Sequence, residues 1–353
     1  MKKQLLFAGL LFGSVFSVNA QVLQTENFNG MTVGNVSEDI TGATPGQGGW
    51  SVFSSNGTAP TTGTNAGPTN FQIVASGQGS NGLKMVTTNG NKGGRFMWKD
   101  GLDTSWGART TGNNIIQLEF DFFTGPASTS TTQNGISMYG LDGTETRTIA
   151  GFVYVPSTKT LSGVAYLKNG ATFGTYLIGL GASSATPIVL ADNTWYRIGV
   201  AYNTTNGAII WKGPGFDNVG INAANYAGPF PPVEVDFISA TPTTNTASAE
   251  HTFDNFVVTA TPTVALLSKE DFSFASKLSV YPNPSNGLVT ISNDLNSALK
   301  SVSLTDLNGR TVKTVELNGD SSAQINISDL SAGVYMMNIS SDQGSVIKKI
   351  VKN

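Results

Sequence analysis

Apolar and polar residues alternate in short runs through the first two thirds of the chain, and clusters of Gly, Asn, Pro and Thr separate the runs. In residues 116–122 the apolar side chains share one face, while Gln117, Glu119 and Asp121 share the other, which is the pattern of a half-buried strand. No run before about Pro262 has a helical period. Strands are therefore predicted at residues 71–74, 83–86, 116–122, 151–155, 195–202, 208–211, 233–237 and 253–259.

The turn between two of these runs predicts a hairpin. Residues 203–207 read Asn-Thr-Thr-Asn-Gly, and the Asn-Gly pair supplies the positive φ that such a turn requires. Several short strands separated by turn signals are typical of a sandwich or a jelly roll. Residues 21–262 are therefore expected to form a large jelly-roll β-sandwich.

A second unit is predicted after a linker at residues 263–277. Its strands are expected at residues 278–281, 288–291, 302–306, 311–315, 323–327, 334–339 and 346–351. Asn308-Gly309, between the third and the fourth strand, is a strong hairpin signal. The predicted fold class is thus all-β, with the large jelly-roll β-sandwich followed by a small Ig-like β-sandwich at residues 278–353.

A signal peptide is predicted at residues 1–20. Two lysines precede an apolar stretch at residues 5–18, and Val18-Asn19-Ala20 offers small or modest residues for cleavage. The stretch is too short to span a membrane comfortably, and no other segment approaches spanning length. We expect export and a mature chain that begins at Gln21, without a transmembrane segment.

Composition narrows the chemistry of the chain. Only 12% of its residues are charged and the net charge is -3, so nucleic acid is not a predicted partner. The chain has no Cys, which excludes thiol catalysis, iron–sulfur clusters and Cys-based zinc sites. His251 is the single histidine, so a multi-histidine metal site is excluded as well, and we interpret His251 as an ordinary surface residue.

The second unit carries four short motifs in order up to the C-terminus. They are residues 281–287, Tyr-Pro-Asn-Pro-Ser-Asn-Gly; residues 304–310, Leu-Thr-Asp-Leu-Asn-Gly-Arg; residues 330–335, Leu-Ser-Ala-Gly-Val-Tyr; and the Lys-rich residues 347–352. With these motifs the unit resembles the type A C-terminal sorting domain of the type IX secretion system of Bacteroidetes. The residues that carry the resemblance are Tyr281, Pro282, Asn283, Pro284, Gly287, Gly309, Gly333, Tyr335 and Lys349.

The resemblance implies passage through the inner membrane, folding in the periplasm, and export across the outer membrane by the type IX secretion machinery. It also implies removal of the domain by a sortase-like peptidase, with release of the protein or its attachment to surface lipopolysaccharide. The expected location is extracellular or at the outer-membrane surface. Because the two prolines fix φ and remove backbone donors, residues 281–284 are expected at a sheet edge or in a rigid turn. Gly287 and Gly333 are expected where a side chain would obstruct a turn.

The larger unit opens with Glu-Asn-Phe-Asn-Gly at residues 26–30, followed by Gly49-Trp50, and closes with Phe-Asp-Asn-Phe-Val-Val at residues 253–258. Strands 118–123 and 194–198 lie between them. On these patterns residues 21–262 resemble the concanavalin A-like lectin and glucanase jelly rolls of the laminin-G type. The resemblance implies that the solvent face of a central strand lines a sugar groove.

Glu119 and Asp121 are the catalytic candidates, because glucanases of this superfamily carry Glu-x-Asp-x-x-Glu on such a strand. The third carboxylate is missing, since Phe123 and Thr124 occupy its positions. A retaining glycosidase needs two carboxyl groups about 5–5.5 Å apart, and solvated charge on a strand face explains Glu119 and Asp121 better. The Gln-x-His and Arg-rich strands of alginate-lyase jelly rolls are not found either.

Glu26 and Asp254 are the predicted metal ligands, for a possible structural calcium ion. In sandwich carbohydrate-binding modules, an early acidic residue and one in the last strand often share calcium, with turn carbonyls as further ligands. The alternative is a hydrogen bond from a neighbouring turn without metal. No cofactor is required by the sequence.

Trp106, with Asp103 and Arg109, is the predicted ligand-binding site. An exposed indole would stack on a sugar ring while the charged side chains bond the sugar hydroxyls. In the alternative interpretation, Trp98 is a core residue and Trp106 only caps it.

The favoured function is that of a secreted or surface-attached, non-enzymatic, lectin-like protein that binds polysaccharide or adheres to a surface. One alternative is a polysaccharide-degrading hydrolase or lyase on the same jelly roll. The other is a structural surface or matrix protein without a discrete ligand. Two carboxylates at catalytic spacing in a groove, one with a raised pKa, would favour the enzyme.

Overall fold

A computed structural model describes residues 20–57, 65–76, 80–183, 186–266, 278–293, 299–306, 310–320, 322–341 and 344–353. Residues 1–19 of the predicted signal peptide, linker residues 267–277 and the predicted turn at Asn308-Gly309 lie outside the described residues. The chain divides into two compact units, Met1–Leu266 and Leu267–Asn353. Strands are numbered along the chain.

The first unit contains two antiparallel sheets, A and B. The strands of sheet A are β1 (Gln21–Glu26), β2 (Gly34–Asn35), β4 (Phe71–Ala75), β5 (Asn81–Val86), β7 (Ile115–Phe123), β13 (Trp195–Asn203), β14 (Ile209–Gly213), β15 (Phe216–Gly220) and β17 (Glu250–Thr261). Their order across the sheet is β15-β14-β13-β7-β17-β5-β4-β2, and β1 pairs with β17. The first and last strands of the unit are therefore neighbours.

Sheet B contributes the second layer. Its strands are β3 (Ser51–Ser55), β6 (Gly94–Trp98), β8 (Gln133–Asp142), β9 (Glu145–Val155), β10 (Thr160–Asn169), β11 (Thr172–Gly179), β12 (Ile188–Val189) and β16 (Pro232–Ala240). Their order is β11-β10-β9-β8-β16-β6-β3, with β12 beside β10. One short helix, α1 (Leu102–Gly107), and single turns of 3-10 helix at Gln47–Gly49, Pro68–Asn70 and Ala223–Asn225 complete the unit.

All eight strands predicted for this unit are present. The hairpin is confirmed, because β13 pairs with β14 and Gly207 has a φ of 80° in the turn. The remaining strands and α1 were not predicted. Strands β8 and β10 contain Gly and Ser among their apolar residues, which blurs the alternation on which the prediction rests.

Aromatic side chains fill the space between the two sheets. Phe120 of sheet A contacts Phe152 of sheet B with ring centroids 5.9 Å apart. The buried Trp50 meets Phe237 edge to face at 5.6 Å, and such pairs add to the area that they bury. The sheets thus form a β-sandwich, and the all-β fold class is confirmed. Its closer assignment to the laminin-G type stays a prediction.

Strand β7 departs from the predicted half-buried pattern, because both of its faces are buried. Residues 263–266 return across its outer face. There the Ala265 N–H donates to Oε1 of Gln117 at 2.6 Å, and Leu266 packs against Ile115 and Ala201. This first part of the predicted linker therefore packs on the sandwich.

The second unit is a smaller two-sheet structure. One sheet contains β18 (Leu278–Tyr281), β19 (Leu288–Asn293) and β22 (Ser322–Asn326). The other contains β20 (Leu299–Thr305), β21 (Thr311–Glu316), β23 (Gly333–Ser341) and β24 (Gly344–Lys352). All seven predicted strands are confirmed, and they enclose a separate core that includes Ile291, Leu304 and Ile339.

Candidate functional site

Glu119 and Asp121 do not lie on a solvated strand face. Glu119 is 3% exposed, and its Oε2 accepts a hydrogen bond of 3.2 Å from Arg197 on the neighbouring strand β13. Another guanidinium nitrogen of Arg197 lies 3.8 Å from Oδ1 of Asp121. The expectation of solvated charge is therefore wrong, because Arg197 neutralises both carboxylates inside the structure.

The strand β17 completes this ion network. Arg197 also donates to the Asn255 carbonyl at 2.8 Å, and the Asn255 side-chain amide donates to Oδ2 of Asp121 at 2.7 Å. Asn255 has a φ of 48° and lies where the register between β17 and β7 shifts. The network joins three adjacent strands, and this explains two buried acidic groups without a catalytic role.

The predicted sugar site at Trp106 lacks an exposed ring. Trp106 belongs to the core and is 5% exposed, and the Arg109 guanidinium carbon lies 4.0 Å from its ring centroid. Arg109 donates to the carbonyls of Trp106 and Asn113 and to the side chain of Asn114. Asp103 is exposed on α1 and accepts the Thr104 N–H. The structure therefore gives Trp106 and Arg109 a packing role, and the expectation of an exposed indole is wrong.

Glu26 and Asp254 lie on neighbouring strands, as predicted, yet each already has hydrogen-bond donors. Glu26 accepts the N–H groups of Asn27 and Phe28 and the indole N–H of Trp50. The buried Asp254 accepts the Ser80 hydroxyl at 2.8 Å and the Asn255 N–H at 2.7 Å. Across the described residues, no three His, Cys, Asp or Glu side chains are grouped to hold a metal. Calcium at this pair stays a prediction, and neither carboxylate needs it to offset burial.

His251 is not a surface residue. It is 2% exposed and packs between Phe122 and Tyr154, with ring centroids 5.5 and 5.4 Å from its own. Its Nδ1 lies 2.9 Å from the Thr124 carbonyl, which places the proton of the neutral ring on Nδ1. Burial lowers the pKa of His251 to about 4.

A second pair of acidic side chains, Glu234 and Asp236, lies on the outer face of sheet B. They are two residues apart on β16, so they share one face of the strand. This face points away from the core, because Val235 and Phe237, on the opposite face, are core residues. Asp236 is 7% exposed, and its Oδ1 receives no hydrogen bond in the described part of the chain. We refer to Glu234 and Asp236 as the carboxyl pair.

The carboxyl pair holds a proton at neutral pH. Burial, reinforced by the charge of Glu234 and a hydrogen bond between the two groups, raises the pKa of Asp236 to about 9. Burial also raises the pKa of Glu234, and the charge of Asp100 adds to this rise. Two carboxyl groups that share a site cannot both ionise readily. Because the pKa of Asp236 is about 9, Asp236 keeps the proton and donates it in the hydrogen bond to Glu234.

Aromatic side chains flank the carboxyl pair on both sides. Trp98 of β6 is in register with Asp236, and Tyr139 of β8 is in register with Glu234. Both rings are half-buried, and directly opposed residues of one sheet face have Cβ atoms about 4.5–5.5 Å apart. Phe96 and Phe53 extend the row of rings beyond Trp98, with centroids 6.1 Å apart. The outer face of sheet B thus combines aromatic surface with acceptor and donor oxygens.

A sequence signal for this site existed. Residues 234–239 read Glu-Val-Asp-Phe-Ile-Ser, which contains the same Glu-x-Asp spacing as Glu119 and Asp121. Here too the third carboxylate is missing, because Ile238 and Ser239 follow. Trp98 was missed for a different reason: the alternative interpretation placed it in the core and Trp106 above it, whereas Trp106 is the core residue.

A separate cleft of about 450 Å³ lies between the hairpin β10–β11 and residues 220–225. Its polar side chains are largely engaged by the protein. Asn222 accepts the Ala224 N–H, and Asn225 donates to the Lys168 carbonyl. The carboxyl pair, which keeps an acceptor without a donor, is therefore the stronger candidate site.

In the second unit, the first motif holds the C-terminal strand. The Asn283 side chain donates to the Lys349 carbonyl at 2.7 Å and accepts the Val351 N–H at 2.8 Å. The Ser285 N–H donates to the Val351 carbonyl at 2.9 Å. Tyr281 ends β18, and residues 282–284 with both prolines lie outside the strands, which fits the expected edge or turn. The expectation for Gly333 is wrong, because Gly333 begins β23 and a side chain there would meet nothing closer than 3.8 Å.

Comparison with known families assigns this unit. Residues 279–353 match the family model of the secretion system C-terminal sorting domain. The second unit is a sorting domain. Its presence supports export by the type IX secretion system to the cell surface or the extracellular space. Among the described residues, no helix has the length and apolar character to cross a membrane.

The chain has structural neighbours of low similarity. A sialidase aligns at 12% identity with a TM-score of 0.36, over 64% of this chain and 17% of its own. A Trypanosoma rangeli sialidase in complex with sialic acid aligns at 15% identity and TM-score 0.32, over 54% and 26%. A family 7 alginate lyase, A1-II′, aligns at 13% identity and TM-score 0.39, over 56% and 83%. The chain thus spans about a quarter or less of these sialidases, and none of these likenesses carries a functional argument. No curated protein matches the sequence.

Proposed function

We propose that the first unit is an exported, non-enzymatic polysaccharide-binding domain, and that it binds through the outer face of sheet B. The observation that carries this proposal is the half-exposed indole of Trp98 in register beside the carboxyl pair. Aromatic rings bind the apolar faces of sugars, and carboxyl oxygens bond their hydroxyls. Several rings along one sheet face fit a chain of sugars better than a single buried sugar.

A polysaccharide-degrading enzyme is the second candidate, favoured by the raised pKa of Asp236. A general acid must hold its proton at the working pH, and Asp236 does so. The geometry favours binding over hydrolysis, because the two carboxyl groups bond one another, whereas a retaining glycosidase separates them by about 5–5.5 Å.

The sorting domain extends the proposal to the route of the protein. We propose that the type IX machinery recognises residues 278–353, and that a sortase-like peptidase then removes them. The sandwich is afterwards released or attached to surface lipopolysaccharide. Adhesion or a matrix role would follow from binding at the cell surface.

Binding to a panel of insoluble polysaccharides tests the function. The mature chain from Gln21 should be retained by at least one polysaccharide, and Trp98→Ala should weaken retention about tenfold, the loss expected for about 1.4 kcal/mol of stacking. Phe173→Ala is the matched control, because Phe173 is 49% exposed on β11, away from the carboxyl pair. Release of soluble sugar from the same panel would instead support the enzyme. Failure to bind any polysaccharide, or equal loss in both variants, would refute this site.

A further inference from the structure

The surface around the carboxyl pair is acidic and has no cationic partner. In the described part of the chain, no Lys, Arg or His nitrogen lies within 4.0 Å of Glu234 or Asp236, although five other clusters on the first unit contain such ion pairs. Asp100 adds a further negative charge, close enough to raise the pKa of Glu234. The field at this point of sheet B therefore favours a positive charge from outside the chain.

Asp236 supplies an independent indication. Its side chain is more than nine-tenths buried, and Oδ1 has neither an N–H nor an O–H donor among the described residues. Buried acceptors are almost always satisfied, and one that is not satisfied costs free energy. Asp236 and Trp98 are directly opposed on the same face of sheet B, so a ligand on the Trp98 ring would lie beside the carboxyl pair.

We propose that this surface binds a polysaccharide that contains amino sugars, with a charged ammonium group held by Glu234 and Asp236 and the sugar ring against Trp98. This inference rests on the proposed polysaccharide binding and names its substrate class. An ammonium group brings three donors, enough for Oδ1 of Asp236 and for the Glu234 carboxylate. The face of Trp98 adds a cation–π attraction. A neutral or N-acetylated sugar offers hydrogen bonds without the charge.

A divalent metal is the other source of positive charge, and the geometry favours the ammonium group. Calcium takes six to eight oxygen ligands, whereas the described residues group no three acidic side chains for a metal. The neighbours of Asp236 across the sheet are Trp98 and Ser137, and neither is a carboxylate. A single ammonium group needs only the acceptors that are present.

Calorimetric titration of the mature chain tests the inference with three hexasaccharides. They are the hexamers of glucosamine, of N-acetylglucosamine and of glucose (cellohexaose). We expect the glucosamine hexamer to bind about tenfold more tightly than its N-acetylated counterpart. Glu234→Gln, which removes the negative charge of the carboxyl pair, should abolish this preference while leaving the weaker binding of neutral chains. Asp236→Asn keeps a neutral side chain with an acceptor oxygen and should reduce the preference less. Asp103→Asn is the control, because Asp103 is an exposed carboxylate on α1 and its loss should keep the preference. Thermal melting of each variant confirms that it is folded.

The outcomes separate the two proposals. Equal affinity for the three hexamers would overturn the amino-sugar assignment and leave the polysaccharide-binding proposal intact. If none of the three hexamers binds and no insoluble polysaccharide retains the protein, both the amino-sugar assignment and the polysaccharide-binding proposal are refuted. Calcium chloride is titrated alone in a further experiment. Binding heat that Asp236→Asn abolishes would overturn the assignment in favour of a metal site.

Discussion

Two buried titratable side chains in the first unit respond to pH in opposite directions. Burial lowers the pKa of His251 to about 4, so the folded state keeps this ring neutral. Burial and Glu234 raise the pKa of Asp236 to about 9, so the folded state keeps this carboxyl protonated. The free energy of unfolding that neutral His251 contributes is lost as the pH falls below about 6.5, the pKa of histidine in the unfolded chain. The free energy of unfolding that protonated Asp236 contributes is lost as the pH rises from about 4, its pKa in the unfolded chain, toward about 9, its pKa in the folded chain.

Replacing His251 tests how much of the loss of stability at acidic pH is due to this residue. The unfolded chain takes up a proton near pH 6.5 and the folded chain only near pH 4, so unfolding becomes easier by about 3 kcal/mol across this window. His251→Asn keeps a side-chain N–H donor for the Thr124 carbonyl but does not titrate. We expect its free energy of unfolding, measured in urea at several pH values, to vary less between pH 6.5 and 4 than that of the wild type. Parallel curves for the two proteins would contradict the assignment.

At the scale of elements, the strands β13, β7 and β17 are joined by charge as well as by backbone hydrogen bonds. The Arg197 side chain is 5% exposed, and it contacts Glu119 and Asp121 on one neighbour and the Asn255 carbonyl beyond it. Buried ion networks of this kind contribute little compared with an apolar replacement of all members. Loss of one member is costly, because the others are left buried without a partner.

Arg197→Met tests this dependence. The variant leaves Glu119 and Asp121 buried without their cation, and we expect roughly 3–5 kcal/mol less stability in denaturant titration. Arg147→Met is the matched control: Arg147 has a side chain 31% exposed and pairs with Asp142 and Glu145, so less than about 1 kcal/mol should be lost. Adding Glu119→Gln and Asp121→Asn to Arg197→Met should restore part of the stability. If Arg197→Met costs no more than Arg147→Met, the network is not what stabilises these strands.

At the scale of the whole molecule, the chain consists of two units, each with its own hydrophobic core. The aromatic core of the first lies between sheets A and B, and the aliphatic core of the second lies within the sorting domain. In the sorting domain the motif at residues 281–287 and the C-terminal strand β24 are far apart in sequence, and the Asn283 side chain joins them. The motif is thus a structural clamp on the last strand as well as a signature.

Asn283→Ala should therefore impair export. Removing the amide leaves the Val351 N–H and the Lys349 carbonyl without these partners, so β24 is held less firmly. We expect the cell-surface and medium fractions of the protein to fall severalfold in the native host, with accumulation in the periplasm. Asn286→Ala is the control, because this exposed residue of the same motif makes no side-chain hydrogen bond among the described residues. Unchanged export of Asn283→Ala would show that the machinery does not depend on the clamp.

Local pattern predicted much of the fold. Strands such as β7 and β13 alternate strictly enough to be found from period two, and the Asn206-Gly207 turn identified β14 as the hairpin partner of β13. All seven strands of the sorting domain were predicted as well, because its turns are marked by Gly, Pro and Asn. Strands with Gly or Ser on one face escaped, since alternation depends on apolar side chains that they lack.

The sequence by itself determined the all-β class, the positions of most strands and the presence of a sorting domain, because each depends on neighbours a few residues apart. Tertiary structure alone decided which polar groups are buried and which indole faces outward. Alternation assigns a residue to one of two faces, but long-range pairing decides what covers that face: residues 263–266 cover Gln117 on β7, while Trp98 stays half-exposed beside Asp236. The Glu-x-Asp spacing occurs twice in this chain, and only the register of neighbouring strands distinguishes a neutralised ion network from a candidate binding site.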